Sequence, residues 1–236
     1  MIEGISKRRE YGEAIISRAG KLKKTPAAMA SALARFKRAH GEYEAAAVEA
    51  DRAIVTRDKL LAVLSIADVG VDTAVITMGH RMVGAEMTPP NSPFKGFARF
   101  APTELVGMKC SDEYREVAKL LVKVDGAKGL QAPVKNAARD AKNKLAVANK
   151  ALGALTTPQT KVTEALQSRE SLVAEWESAL HSVRIQAAAA WETTPAKLKA
   201  LLAPVNATQR GTKKRVTTRK AKPRKKATPV TPPAAV

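Results

Sequence analysis

Apolar residues recur along this chain at helical spacing. From Pro26 onward, Met29, Leu33, Phe36, His40, Tyr43, Ala47, Ala50 and Ile54 alternate in steps of four and three, the seam of a helix that pairs with another helix. Carried on strictly, that frame meets Arg57. The apolar stripe resumes at Leu60, Leu61 and Leu64, which reads as a stutter or a change of partner face. This helix is expected to run to about Ala67 and end near Gly70, with Val69 to Met78 as a locally strand-like stretch.

Two further runs follow the same rule. Val134, Ala138, Ala141, Leu145, Ala148, Leu152 and Leu155 make the first; Val162, Leu166, Arg169, Val173, Trp176, Leu180, Val183, Ala187 and Ala190 make the second. Only Thr156 and Thr157 separate the first run from Pro158, so residues 132–191 are predicted as an αα-hairpin with arms 134–155 and 158–190. Thr25-Pro26, Thr157-Pro158 and Thr194-Pro195 each set a capping hydroxyl before a proline at the first helical position, and Ser111-Asp112-Glu113 marks a fourth start.

Between Gly79 and Cys110 the periodicity fails. TPPNSPFKGFARFAP carries Phe94, Phe97 and Phe100 and reads as an ordered loop or docking segment. Its aromatics, interleaved with Lys95 and Arg99, suit either a plug at the open end of a bundle, the favoured reading, or a stacking platform for single strands. From Ala203 the apolar period disappears, and the chain from about Asn206 is expected to be disordered. The organisation predicted is therefore N-terminal helices over 1–78, a Pro/Phe loop over 79–110, C-terminal helices over 111–203 and a tail over 204–236. The fold class is all-α: an antiparallel helical bundle with coiled-coil hairpins and a disordered basic C-terminal tail.

Composition narrows the class further. The 236 residues are 45% hydrophobic and 4% aromatic, enough apolar content for a real core. Cys110 is the one cysteine, which excludes an intramolecular disulfide and a Cys₄ or Cys₂His₂ zinc site. A reducing compartment, cytoplasm or nucleoid/nucleus rather than a secreted location, is expected, because Met1 to Lys24 lacks a signal-peptide pattern. Leu60 to Met78 approaches the length of a membrane span, but it holds Asp68 and Asp72, each costing about 2.5–3.5 kcal/mol at the centre of a spanning helix. A buried bundle element is the expected reading of that stretch.

Charge changes the picture most. Of a net +19, residues 210–236 carry +10, with ten Lys or Arg and no acid; residues 1–209 carry 31 basic and 22 acidic groups. The ten are Arg210, Lys213, Lys214, Arg215, Arg219, Lys220, Lys222, Arg224, Lys225 and Lys226. Such a cation string follows a phosphate backbone and releases condensed counterions as it binds. In composition the tail resembles the Lys/Pro/Ala/Thr tails of linker histones and bacterial histone-like proteins. Another polyanion, such as anionic lipid or acidic protein, would engage the same residues, and in a eukaryote they would read as a nuclear import signal. Thr88-Pro89, Ser92-Pro93, Thr228-Pro229 and Thr231-Pro232 match proline-directed phosphorylation patterns.

Catalytic patterns are absent from the sequence. His40, His80 and His181 are far apart and outside any metal motif, Glu175 and Glu177 face different sides of one helix, and no phosphate loop or nucleophile elbow appears. Lys109 beside Cys110 is the one feature that would lower a thiol pKa. His40, on the seam, is expected to be a hydrogen-bonded structural histidine, and Trp176 and Trp191 core or contact residues. No enzyme activity, cofactor or metal is expected. The function expected is sequence-independent binding of DNA or RNA through the tail, by a homo-oligomer or with a helical partner. The rival is a scaffold component of a filament, virion or other assembly, built on the heptad seams.

Overall fold

The computed structural model describes residues 4–22 and 24–205, and the ten tail cations lie outside the described residues. Seven helices follow in order: α1 (Ile5–Gly20), α2 (Ala27–Gly84), α3 (Pro102–Leu105), α4 (Cys110–Asp125), α5 (Ala132–Ser171), α6 (Val173–Ala190) and α7 (Pro195–Leu202). No strand occurs among the described residues, so the chain is all-α.

α2 is the axis. Its 58 residues rise roughly 87 Å. The end predicted near Gly70 and the strand-like stretch at 69–78 are both corrected: α2 continues to Gly84, past the boundary drawn at 78. The reason lies in the seam. Extended strictly from Ile54, the 4-3 frame runs through Arg57, Leu61, Leu64, Asp68, Val71, Val75, Met78 and Met82. Leu64, Val71, Val75, Met78 and Met82 are buried. The frame keeps one phase throughout; Leu33, Ile54, Arg57 and Asp68 are half-buried on it, and Leu61 is exposed.

The hairpin over 132–191 is likewise corrected. α5 runs without a turn through Thr156, Thr157 and Pro158 to Ser171, and after the single residue Leu172 the chain continues as α6. Leu155 plus four is Gln159, and Gln159 plus three is Val162, so the two seams read as separate arms are one frame in one phase. Its partner is α2, which runs antiparallel along the whole length: Gln131 Nε2 donates to the Ala85 carbonyl, Lys144 lies beside Gly70, and Trp176 packs edge-on to Phe36. A partner helix of matching length rewards continuation over reversal, which offsets the hydrogen bond lost at Pro158.

Two cores sit at the two ends. One gathers Tyr11 and Ile15 of α1, Met29, Phe36 and Tyr43 of α2, Trp176, Leu180 and Val183 of α6, and Leu201 of α7. The other gathers Leu64 to Met82 of α2 with Phe94, Leu105, Tyr114 to Val124 of α4 and Val134 to Ala148 of α5. Between them lies a waist where, among the described residues, α2 and α5 pack mainly on each other; over 51–63 no α2 residue is buried, and over 149–171 of α5 only Val162 is.

The loop after α2 is an ordered cover, in keeping with the plug reading. Phe94 is buried, and Gly79 lets the loop approach, since a Cβ there would meet Pro102 Cγ at 2.9 Å and Pro93 Cβ at 3.3 Å. Helix starts fall within two residues of those expected at Pro26, Ser111 and Pro195, but without side-chain capping bonds from Thr25, Ser111 or Thr194.

Continuity at residue 158 is testable by stability. Pro158→Ala restores a helical amide and should raise stability by about 1–3 kcal/mol in a thermal or urea melt. A turn at 156–158 would make the same substitution neutral or destabilising.

Candidate functional site

Two regions hold chemistry. The first is the end of the bundle from which the tail departs. α7 is pinned there by its backbone: Tyr11 Oη donates to the Leu202 carbonyl at 3.1 Å, and Arg18 Nη1 donates to the Leu201 and Ala203 carbonyls at 3.2 and 2.5 Å. Two shallow grooves flank this anchor. One, of about 240 Å³, is lined by Arg18, Lys21, Leu22, Lys197, Ala200 and Leu201; the other, of about 520 Å³, by Lys21, Leu22, Lys24, Trp191 and Lys197. Among the described residues no carboxylate lines either groove. Arg18, Lys21, Lys24 and Lys197 thus gather beside the end of the described chain.

The second region lies where α4 crosses α2. Asp68 and Asp72, one turn apart on α2, face Glu113 and Tyr114 near the start of α4, and an oxygen from each of the three carboxyls lies within 4.8 Å of the others. Tyr114 Oη donates to Asp68 Oδ1 at 2.7 Å. Glu113 is 1% exposed, and its Oε1 and Asp72 Oδ1 are buried without a conventional partner. Burial, then the adjoining Asp72 carboxyl and the Asp68 charge, push the Glu113 carboxyl up to about 8; burial also raises Asp72. At neutral pH Glu113 is therefore protonated and donates to Asp72, a carboxyl pair sharing one proton. Three oxygens at this spacing would also suit a hard divalent cation; a proton held between Glu113 and Asp72 is the alternative that the chain's own groups supply.

Sequence reasoning missed this cluster. Asp68 falls on the strict α2 frame, and a charge on a seam position was the available signal. The pair of aspartates was weighed only as a cost of membrane insertion, and nothing in the sequence set Glu113 against them.

The remaining candidates fall into place individually. His40 is buried and accepts at Nδ1 from Trp176 Nε1 at 3.2 Å, the hydrogen-bonded structural role expected of it; burial lowers its pKa, so the ring is neutral. Gly12 faces this ring, and a Cβ there would overlap it. Trp176 and Trp191 are both in the core. Glu175 pairs with Arg35 and Glu177 with Arg8, on different sides of α6. The lowered thiol pKa suggested by Lys109 is corrected: burial and the Asp68 carboxylate push Cys110 up. Thr88 is buried with its hydroxyl donated to the Pro93 carbonyl, which removes it as an accessible phosphorylation target. Of the three loop phenylalanines, Phe97 and Phe100 are half-buried. They line a groove of about 620 Å³ rimmed by Arg99, Arg115, Lys119 and Lys123, of which Arg115 and Lys119 pair with Glu116.

Compared with protein-family models, curated proteins and solved structures, the chain matches none of them.

The carboxyl pair gives stability a defined pH dependence. Folded Glu113 keeps its proton up to about 8, whereas an unfolded glutamate loses it near 4.5, so the folded state binds more protons in between. This contribution is complete below 4.5 and is lost as pH rises toward 8. Glu113→Gln keeps the donor to Asp72 and cannot ionise. Its melting temperature at pH 8.5 should exceed wild type by at least about 3 °C, the shift that ~1 kcal/mol produces at this length, while at pH 4.5 the two should nearly coincide.

Proposed function

We propose that this is a non-enzymatic protein that binds nucleic acid independently of sequence, through phosphate contacts of the C-terminal cations from Arg210 to Lys226. The observation that carries the reading is the division of charge. Residues 210–236 hold ten cations and no acid, while the body mixes 31 cations with 22 acids and joins many of them in pairs such as Arg9–Glu44, Arg35–Glu175 and Lys142–Asp125. A folded core gains nothing from a run of cations that dense with no acid in its own segment. The lysines at the root of the tail extend the same field onto the helical end. Phosphate contacts position without reading bases, so DNA and RNA are both substrates for such a tail.

The scaffold reading keeps one supporting observation, the bare apolar face of α2 taken up below. The seams first considered for assembly do not serve it: Leu145 and Leu180 are buried within the single chain, so changing them would unfold it.

Titration with fluorescent duplex DNA and single-stranded RNA at several salt concentrations tests the proposal. With about six phosphate contacts, log K should fall with log salt at a slope of roughly −5. Truncation after Val205 spares the α7 anchor; it should abolish tight binding and leave the helical melt unchanged. Equal affinity with and without the tail would refute the proposal.

A further inference from the structure

Opposite its buried seam, α2 carries a second one. Val55, Lys59, Ala62, Ile66, Val69, Thr73 and Ile76 also repeat in steps of four and three, over about 32 Å of helix. Val55 is 53%, Ile66 76% and Val69 60% exposed, with Val63 exposed at the edge of the stripe. Thr73 folds its hydroxyl back onto the Val69 carbonyl at 2.8 Å, which hides the polar group within its own helix. Five of these seven residues are β-branched, Lys59 and Ala62 being the exceptions, and an exposed apolar stripe of this length on the waist of a long helix is a candidate contact surface.

We infer that this face binds a second copy of the chain, with the two α2 helices antiparallel. Three observations select that occupant. The same side of α2 already carries a helix upstream: α1 lies along it antiparallel, with Arg9 paired to Glu44 and Asp51, and runs out at the exposed Ile5 where the bare stripe begins. The stripe continues an existing helix-on-helix interface. Next, α1 fixes the orientation, because a parallel copy would drive the two α1 helices into each other, whereas an antiparallel copy sets bare stripe against bare stripe. Finally, helical packing suits the stripe better than lipid does. α2 is long and apolar enough to cross a membrane by length and composition, yet the far side of the same stretch holds Asp68 and Asp72 against α4. Pairing at the waist would give four helices where each chain alone has two. It would also put the two α7 ends, and with them the tail roots, at opposite ends of the dimer. That consequence for bridging two nucleic-acid segments rests on the function proposed above; the pairing does not.

The test uses the full chain without nucleic acid. Sedimentation equilibrium over about 1–100 µM should give twice the chain mass. Ile66→Asp with Val69→Asp should give a monomer with unchanged helical signal, since both sites are exposed in the single chain. Orientation follows from disulfides in a Cys110→Ser background. A Val55→Cys, Thr73→Cys protein should cross-link, because antiparallel packing centred between Ala62 and Ile66 brings position 55 of one copy to position 73 of the other, within about 7 Å between Cα atoms. Three results would overturn the inference: a monomeric wild type, including one that instead floats with anionic vesicles; a dimer that survives the two aspartates; or faster cross-linking by Val55→Cys alone. DNA binding that persists or fails in the monomeric variant reports on the tail separately.

Discussion

Two helical frames, one on α2 and one on α5 with α6, keep a 4-3 step in a single phase for about fifty residues, and every other element is placed by where they need cover. An ideal helix drifts about 20° per heptad against such a repeat, so two straight helices lose register unless the frame itself is kept. Here Met29 to Met82 on one side and Val134 to Ala187 on the other keep it. Many facing positions are alanine: Ala47, Ala50, Ala138, Ala141 and Ala148 are all buried. Alanine allows close approach but removes little area from water, so the pair alone is a narrow strip. The ends are therefore thickened, by α1 and α7 around Phe36, Tyr43 and Trp176, and by α3, α4 and the loop around Met78, Met82 and Phe94.

Each end core also encloses polar groups whose partners come from another helix. At one end the indole of Trp176 finds the unprotonated nitrogen of His40, and Gly12 leaves room for that ring. At the other, Tyr114 meets Asp68 while Glu113 and Asp72 share a proton. Leaving such a group unpaired in a core costs about 1–3 kcal/mol, comparable to an apolar misfit. These contacts fix how α6 and α4 sit against α2 along its length, which alanine-rich seams leave loosely specified.

Helix content, the heptads and the start near Pro26 were legible from spacing alone. Continuity was not, although the information was present. Arg57 and Thr156-Thr157-Pro158 look like interruptions when each run is read by itself, yet both frames pass through them without a change of phase. Phase, the long-range property, outweighs the local signals of a charge and a proline because α2 offers α5 an uninterrupted partner. The carboxyl cluster was illegible for a different reason. Residues 68, 72 and 113 are separated by the whole loop, and only the docking of that loop through Gly79 returns α4 to α2.

Those corrections also change which surfaces remain for partners. Had 132–191 been a hairpin, its seams would have been open for assembly. Because the chain folds them against α2, the surfaces left are those that folding does not use. Among the described residues they include the outer face of the waist and the cationic end beside α7. Neither is needed by either core: the residues of the outer stripe lie outside both sets of buried contacts, and the α7 anchor closes on carbonyls of Leu201, Leu202 and Ala203 before the tail begins. If the proposed binding and pairing hold, stability and interaction fall to different residues: changes on the stripe would alter pairing without touching either set of buried contacts, whereas changes in the buried frames would act on stability first.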